Sequence, residues 1–152
     1  MSVFRWIGVA GVAALALACS SDALIGPAGR FDHAAAMLAC GPADGPAVAI
    51  YFASEPVTTV EPQGDYVRVY VPRTLDEVAA GKTWPIATNS EAAGLYHFAN
   101  GDYEIAKSGY LTVTSVDTDK TITGTVSLTF PNAGRVQGEF HAEWFQTLIA
   151  CV

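Results

Sequence analysis

The sequence predicts an all-β fold, an antiparallel β-sandwich of about six to seven strands in an immunoglobulin-like or meander arrangement. Three observations predict it. Apolar and polar residues alternate at a period of two along most of the chain beyond residue 45. The alternating runs are rich in β-branched and aromatic residues and are separated by short turn signals. Beyond residue 45, only one short segment carries helix signals. A small barrel is the second choice. With 152 residues the chain is long enough for one domain and too short for two ordinary ones.

The first element is not part of that fold. From Trp6 to Cys19 run 14 residues without a charge, preceded by Arg5. A basic start, an apolar middle and a small-residue exit are the parts of a secretory signal, here residues 1–18. A membrane-spanning helix needs about 20 apolar residues, and Ser20, Ser21 and Asp22 end this run too early. The exit, Leu15-Ala16-Leu17-Ala18-Cys19, resembles a lipobox, with Ala16 where Leu is most usual. We read Cys19 as lipidated in preference to ordinary cleavage after Ala18. A lipidated Cys40 after Met37-Leu38-Ala39 is the weaker choice, because Arg30, Asp32 and His33 interrupt the apolar stretch before it. Several acyl chains on Cys19 would give a stable membrane anchor without a span. Ser20 in place of Asp after the cysteine resembles an outer-membrane address, facing the periplasm or the cell surface.

Lipidation of Cys19 leaves Cys40 and Cys151 as a pair. Outside the reducing cytoplasm two such thiols form a disulfide, and closing a loop of more than a hundred residues contributes about 4 to 5 kcal/mol in the chain-entropy model. Two free buried thiols are the alternative. Residues 19–44, rich in Ala, Gly and Pro, read as a lipidated, flexible tether with one short helix capped by Asp32 and running to about Leu38. The domain proper then spans 45–152.

Within it, Val48, Ile50 and Phe52 share one face of AVAIYFA. In DYVRVYVPR, Val67, Val69 and Val71 share a face opposite Tyr66, Arg68 and Tyr70. Thr74-Leu75-Asp76-Glu77 is a capping box with Gly81 behind it, which predicts a short helical turn near residues 74–80. GLYHFANGDYEIA reads as a hairpin about Asn100-Gly101, with both residues at positive φ in a type I′ turn. YLTVTSV and TITGTVSLTF alternate around Asp117-Thr118-Asp119-Lys120, with Ile122, Val126, Leu128 and Phe130 inward. The last strand, RVQGEFHAEW, turns Val136, Phe140, Ala142 and Trp144 to the core. Gly124 and Gly138 mark a bulge or a close approach of backbones.

The order GKTWPIA, GLYHF, SGYLTVTSVDTDKTITGTVSLTF and GRVQGEFHAEW resembles a domain recurrent in uncharacterised lipid-anchored proteins of Gram-negative bacteria. The resemblance covers roughly residues 65–145. It implies a secreted β-sandwich with no assigned activity and carries over no catalytic residue. Val126 stands where an aromatic is usual, and the cysteine pair is a further departure.

Candidate sites are few. Glu139, His141 and Glu143 alternate on one face of a strand, a row that could hold a divalent metal or move protons; a solvated outer face accounts for it better. Asp117 and Asp119 hint at calcium, but Ile122 and Leu128 occupy the places where an EF-type loop needs Gly and Glu, and a turn whose Asp side chains bond their own backbone explains them. Tyr66, Arg68 and Tyr70, with Trp84 in the loop beyond, form a candidate ligand platform of rings beside a guanidinium. The alternative buries those tyrosines under a loop. There is no GxSxG, HExxH, CxxC, P-loop or dinucleotide fingerprint, and His33, His97 and His141 lie far apart in sequence.

Removal of residues 1–18 would leave 7 basic against 15 acidic side chains, a formal charge of −8. That scattered acidity argues against nucleic acid and anionic lipid surfaces as partners. The sequence therefore points to a non-catalytic, outer-membrane lipoprotein without a cofactor. Its partners would be the membrane, through Cys19, and an envelope protein or glycan. A small-ligand or carbohydrate carrier is the alternative, with Phe98, Phe130 and Trp144 lining a cavity.

Overall fold

In the computed structural model, which describes residues 23–27, 29–40, 45–58, 61–78 and 80–145, the alternating runs become strands that all join one sheet. The strands are β1 (Leu24–Gly26), β2 (Gly29–Phe31), β3 (His33–Cys40), β4 (Pro46–Ala53), β5 (Tyr66–Val71), β6 (Thr83–Ala87), β7 (Ala93–His97), β8 (Tyr103–Ile105), β9 (Ser108–Asp117), β10 (Thr121–Thr129) and β11 (Arg135–Trp144). Segment 1–18, Cys19 and Cys151 lie outside the described residues.

The path across the sheet is β6-β9-β10-β11-β3-β4-β5-β7-β8, with β1 pairing both β11 and β2 off this path. Neighbours are antiparallel except β11 and β3, where Glu143 and Trp144 align in parallel with Ala35 and Ala36. The all-β class is as expected; the architecture is a single mixed sheet strongly curled into a half-barrel. The curl brings distant strands together. The Tyr96 ring of β7 meets Phe130, just past β10, at 5.6 Å, and Ile86 of β6 bridges to Ala92, beside β7.

Alternation decides which residues line the inside of the curl. Val48, Ile50 and Phe52 of β4, Val67, Val69 and Val71 of β5, and Ile122, Val126, Leu128, Val136, Phe140 and Ala142 of β10 and β11 all belong to one buried cluster, as their spacing predicts. Phe52 and Phe140 pack edge to face there, 5.4 Å apart.

Two expected helices are corrected. Residues 33–40 form β3, a strand paired along its whole length with β4. Alanine's helix preference is worth only tenths of a kcal/mol per residue, and pairing on both sides of the strand overrides it. Small side chains also suit the position, since Ala36 belongs to the inner cluster while Met37 belongs to a second one on the outer face. Asp32, expected as a helix cap, instead accepts a hydrogen bond from Arg30 Nε at 3.0 Å. Within the expected tether, Leu24–Gly26, Gly29–Phe31 and His33–Cys40 are strands.

Near residues 74–80 the chain makes one turn and no helix. The N–H groups of Glu77 and Val78 both donate to the Thr74 carbonyl at 3.1 Å, and Thr74 N–H donates to Glu77 Oε2 at 3.0 Å. The local signals are obeyed, and Gly81 takes its positive φ of 82°. Yet a single turn is only a nucleus. Gly81 N–H then bonds the Val113 carbonyl at 2.7 Å, which draws the chain back to β9 and on into β6.

The remaining turns follow their chemistry. Asp117 Oδ1 accepts the Asp119 N–H at 3.2 Å, so the β9–β10 turn is self-bonded as anticipated. The β7–β8 hairpin exists, but Gly101 N–H bonds the Phe98 carbonyl, so Ala99 and Asn100 are the central residues and Gly101, with φ 92°, follows them. That is a type I turn with a glycine bulge in place of type I′. Gly124 sits where the β9–β10 register shifts, and Gly138 faces the backbone of Ala23 and Leu24.

Candidate functional site

The outer face of β4, β5, β7 and β8 carries a row of rings. Registers of Ala53 with Tyr66, Tyr66 with His97 and His97 with Tyr103 set the row crosswise to the strands. Tyr51 and Tyr66 lie 6.1 Å apart, Tyr66 and His97 stack at 4.4 Å, and His97 and Tyr103 are 6.1 Å apart. Tyr51 and Tyr66 are buried with Met37, Ala49 and Ala53, against which Val57, Tyr70 and Phe145 pack. At the sheet edge, Tyr103 is exposed.

Arg68 stands beside this row, two residues from Tyr66 on the same face of β5, half-buried and opposite Leu95. Its Nε, the Tyr70 hydroxyl and His97 Nε2 are sealed from solvent without a hydrogen-bond partner. Leaving a buried donor unpaired costs about 1–3 kcal/mol. Arg68 takes part in neither of the ion pairs Arg30–Asp32 and Arg73–Glu91, and the acidic residue that lines the cleft with it is Glu61. The titration of its neighbours reflects this setting. Burial, and then the Arg68 charge, hold His97 below its ordinary value. Burial pushes the Tyr66 and Tyr70 hydroxyls up, and Arg68 opposes the shift in both.

Above Arg68, Tyr66 and His97 opens a cleft of about 430 Å³. One wall is the loop Glu61-Pro62-Gln63-Gly64 and the other is the hairpin tip at Phe98, Ala99 and Gly101. Asp65 ties the walls together. Its Oδ1 accepts the Ala99 N–H at 2.8 Å and its Oδ2 accepts the Tyr96 hydroxyl at 3.0 Å. Burial, followed by this bond to Asp65, raises the Tyr96 hydroxyl far above its ordinary value.

The structure brings Tyr66, Arg68 and Tyr70 to one face, as the alternation predicts, and places Trp84 elsewhere. Trp84 is in β6, at the opposite edge of the sheet, where it joins the inner cluster with Lys82 Nζ 5.3 Å from its ring. Neither His97 nor Asp65 was singled out as a site residue by the sequence. The alternation of Ala93, Leu95 and His97 signals which face His97 takes; its meeting with Tyr66 depends on the β5–β7 register, which no local pattern encodes.

Glu139, His141 and Glu143 project from the exposed face of β11 opposite Thr125, Thr123 and Thr121. His141 and Glu143 line a groove of about 320 Å³ with Asp32 and His33, residues distant in sequence. Among the described residues, no group of three His, Cys, Asp or Glu side chains could hold a metal ion. Phe98 and Phe130 both contact the Tyr96 ring, at 4.8 and 5.6 Å, so these rings pack together rather than surround a space. Cys40 ends β3 half-buried. Among the described residues, no helix is long and apolar enough to cross a membrane.

No protein-family model matches the chain, and neither a curated protein nor a solved structure matches it.

Proposed function

We propose that the chain is a non-catalytic, lipid-anchored binding module of the bacterial outer membrane, which receives a small ligand, or a protruding group of an envelope protein or glycan, in the cleft over Arg68 and His97. The observation that carries the reading is an open cleft lined by Arg68 and His97, side chains whose buried Nε and Nε2 atoms have no hydrogen-bond partner. Unpaired buried polar groups are rare, and their gathering beside a cleft supports a binding role for it. The cleft lies within the size range of small-molecule sites, about 300 to 1,000 Å³. The anchor rests on the apolar run that ends at Cys19. The Cys40–Cys151 bridge rests on the pair of cysteines that lipidation of Cys19 leaves in an oxidising compartment. A sandwich-like packing of the curled sheet on itself is in keeping with the Tyr96–Phe130 contact across the curl.

The anchor is tested by the intact mass of protein extracted from its native membrane. A mass of residues 19–152 with three acyl chains, and no alkylatable thiol before reduction, is expected; an unacylated chain sinks it. The cleft is tested by chemical-shift mapping against a panel of sugars, amino acids and carboxylic acids. Shifts should gather at Gln63, Tyr66, Arg68 and His97. A panel that leaves all four unmoved removes the binding reading, and metal-dependent turnover lost in Glu139→Ala or His141→Ala removes the non-catalytic one.

A further inference from the structure

The geometry points to a carboxylate as the group that Arg68 and His97 receive. This rests on the binding reading above and names its chemistry. Arg68 is a donor only, with five N–H bonds in a planar fork whose shape matches two oxygens of a carboxylate. Its Nε–H is sealed without a hydrogen-bond partner, and Arg68 takes part in neither the Arg30–Asp32 nor the Arg73–Glu91 ion pair, while Glu61 lines the same cleft. Arg68 is half-buried and lines the cleft, so an anion bound there gains charge-assisted hydrogen bonds from its guanidinium. His97, whose buried Nε2 also has no hydrogen-bond partner, lines the same cleft.

The neighbouring rings narrow the choice further. Tyr66 has His97 stacked at 4.4 Å on one side and Tyr51 at 6.1 Å, and it is only 7% exposed. It therefore offers no free face to a neutral sugar, and recognition falls to the guanidinium and imidazole. Glu61 lines the mouth of the cleft. A carboxylate there repels a ligand of high negative charge, so a singly charged carboxylate suits the site better than a doubly charged phosphate.

The test compares N-acetylalanine with N-acetylalanine amide, two probes of one shape that differ in the carboxylate, by NMR titration of the full-length extracted protein. The readout is the Arg68 Nε–H and His97 ring resonances. The acid should saturate both and bind at least about tenfold more tightly than the amide, as expected for a charge-assisted pair. Inorganic phosphate should bind more weakly than the acid. Arg68→Gln should lower the affinity for the acid at least about tenfold, and Arg68→Lys, which keeps the charge and loses the fork, should fall between. Equal affinity for acid and amide overturns the inference without any variant and leaves the binding cleft standing. Phosphate binding more tightly than the acid overturns the choice of carboxylate. If acid, amide and phosphate all leave both resonances unmoved, the inference and the cleft reading fail together.

Discussion

Tyr66 and His97 stack across β5 and β7 with ring centroids 4.4 Å apart and planes inclined by 7°. The stacked imidazole feels the charges of Arg68 and Glu61, and the Tyr103 ring lies 6.1 Å from it. A histidine held below its ordinary value of 6.5 stays neutral in the folded protein at a pH where the unfolded chain binds a proton. Its contribution to stability is complete above about 6.5 and declines as the pH falls from there through the folded value. The midpoint of urea unfolding should therefore drop between pH 7 and pH 5.5. His97→Phe, which keeps a ring in the stack and cannot titrate, should flatten that slope; an unchanged slope would show that another group causes it. His97→Ala should cost about 1 kcal/mol or more at pH 7 from the lost ring pair.

Asp65 joins the two walls of the cleft through the Ala99 N–H and the Tyr96 hydroxyl. Asp65→Ala leaves a buried hydroxyl unpaired, and hydrogen bonds to a charged acceptor are worth about 1.5–3 kcal/mol. We expect a loss of about 2 kcal/mol by urea unfolding, with faster amide exchange at Ala99. Tyr96→Phe should lose less, because Asp65 keeps its second donor. Amide exchange at Ala99 that matches the wild type in Asp65→Ala would show that the wall is held by other contacts.

Gly138 lets β1 approach β11. A Cβ at this position would come within 2.5 Å of the Ala23 carbonyl oxygen and 3.1 Å of Leu24 Cα. Backbone atoms cannot swing aside as a side chain can, so Gly138→Ala should cost about 1–3 kcal/mol. Gly45→Ala is the control, since nothing lies within 4 Å of its added Cβ, and it should stay within about 0.5 kcal/mol of the wild type. Equal midpoints for the two variants would show that β1 does not need this approach.

If Cys40 and Cys151 are bridged, Cys151→Ser should lower stability by about 4 kcal/mol through the entropy returned to the unfolded chain. The double variant Cys40→Ser, Cys151→Ser should lose no more than the single one, because both remove the same bond. Reduction of the native protein should reproduce the shift in midpoint. A native protein indifferent to reductant would exclude the bridge.

Much of the inner face was legible because strand alternation is a local pattern. Val67, Val69 and Val71 could be assigned to the core without knowledge of what they face, and the same holds for Ile122, Val126 and Leu128. The self-bonded turn at Asp117 and the glycine at the Thr123/Gly124 register shift were legible for the same reason. Residues 33–40 were not. An alanine-rich run has a local preference for helix, and only neighbours supplied from residues 46–53 and 143–144 make it a strand. The candidate site was half visible. Tyr66, Arg68 and Tyr70 could be placed on one face from their spacing, but His97 and Asp65 enter through pairings between strands distant along the chain. Trp84 illustrates the opposite error, a ring read as available for a ligand that the curl of the sheet turns inward.

The parallel pairing of Glu143 and Trp144 with Ala35 and Ala36 joins positions more than a hundred residues apart. It lies in the middle of the strand order, so the strand pairing that links β3, β4, β5, β7 and β8 to β9 and β10 runs through β11, beside the contacts made across the curl. Closure over so long a stretch is entropically costly and slow. Until β11 is made, β3 and β10 lack the strand that lies between them, so this seam closes after the strands it joins. The sheet is thus assembled by its latest arrival.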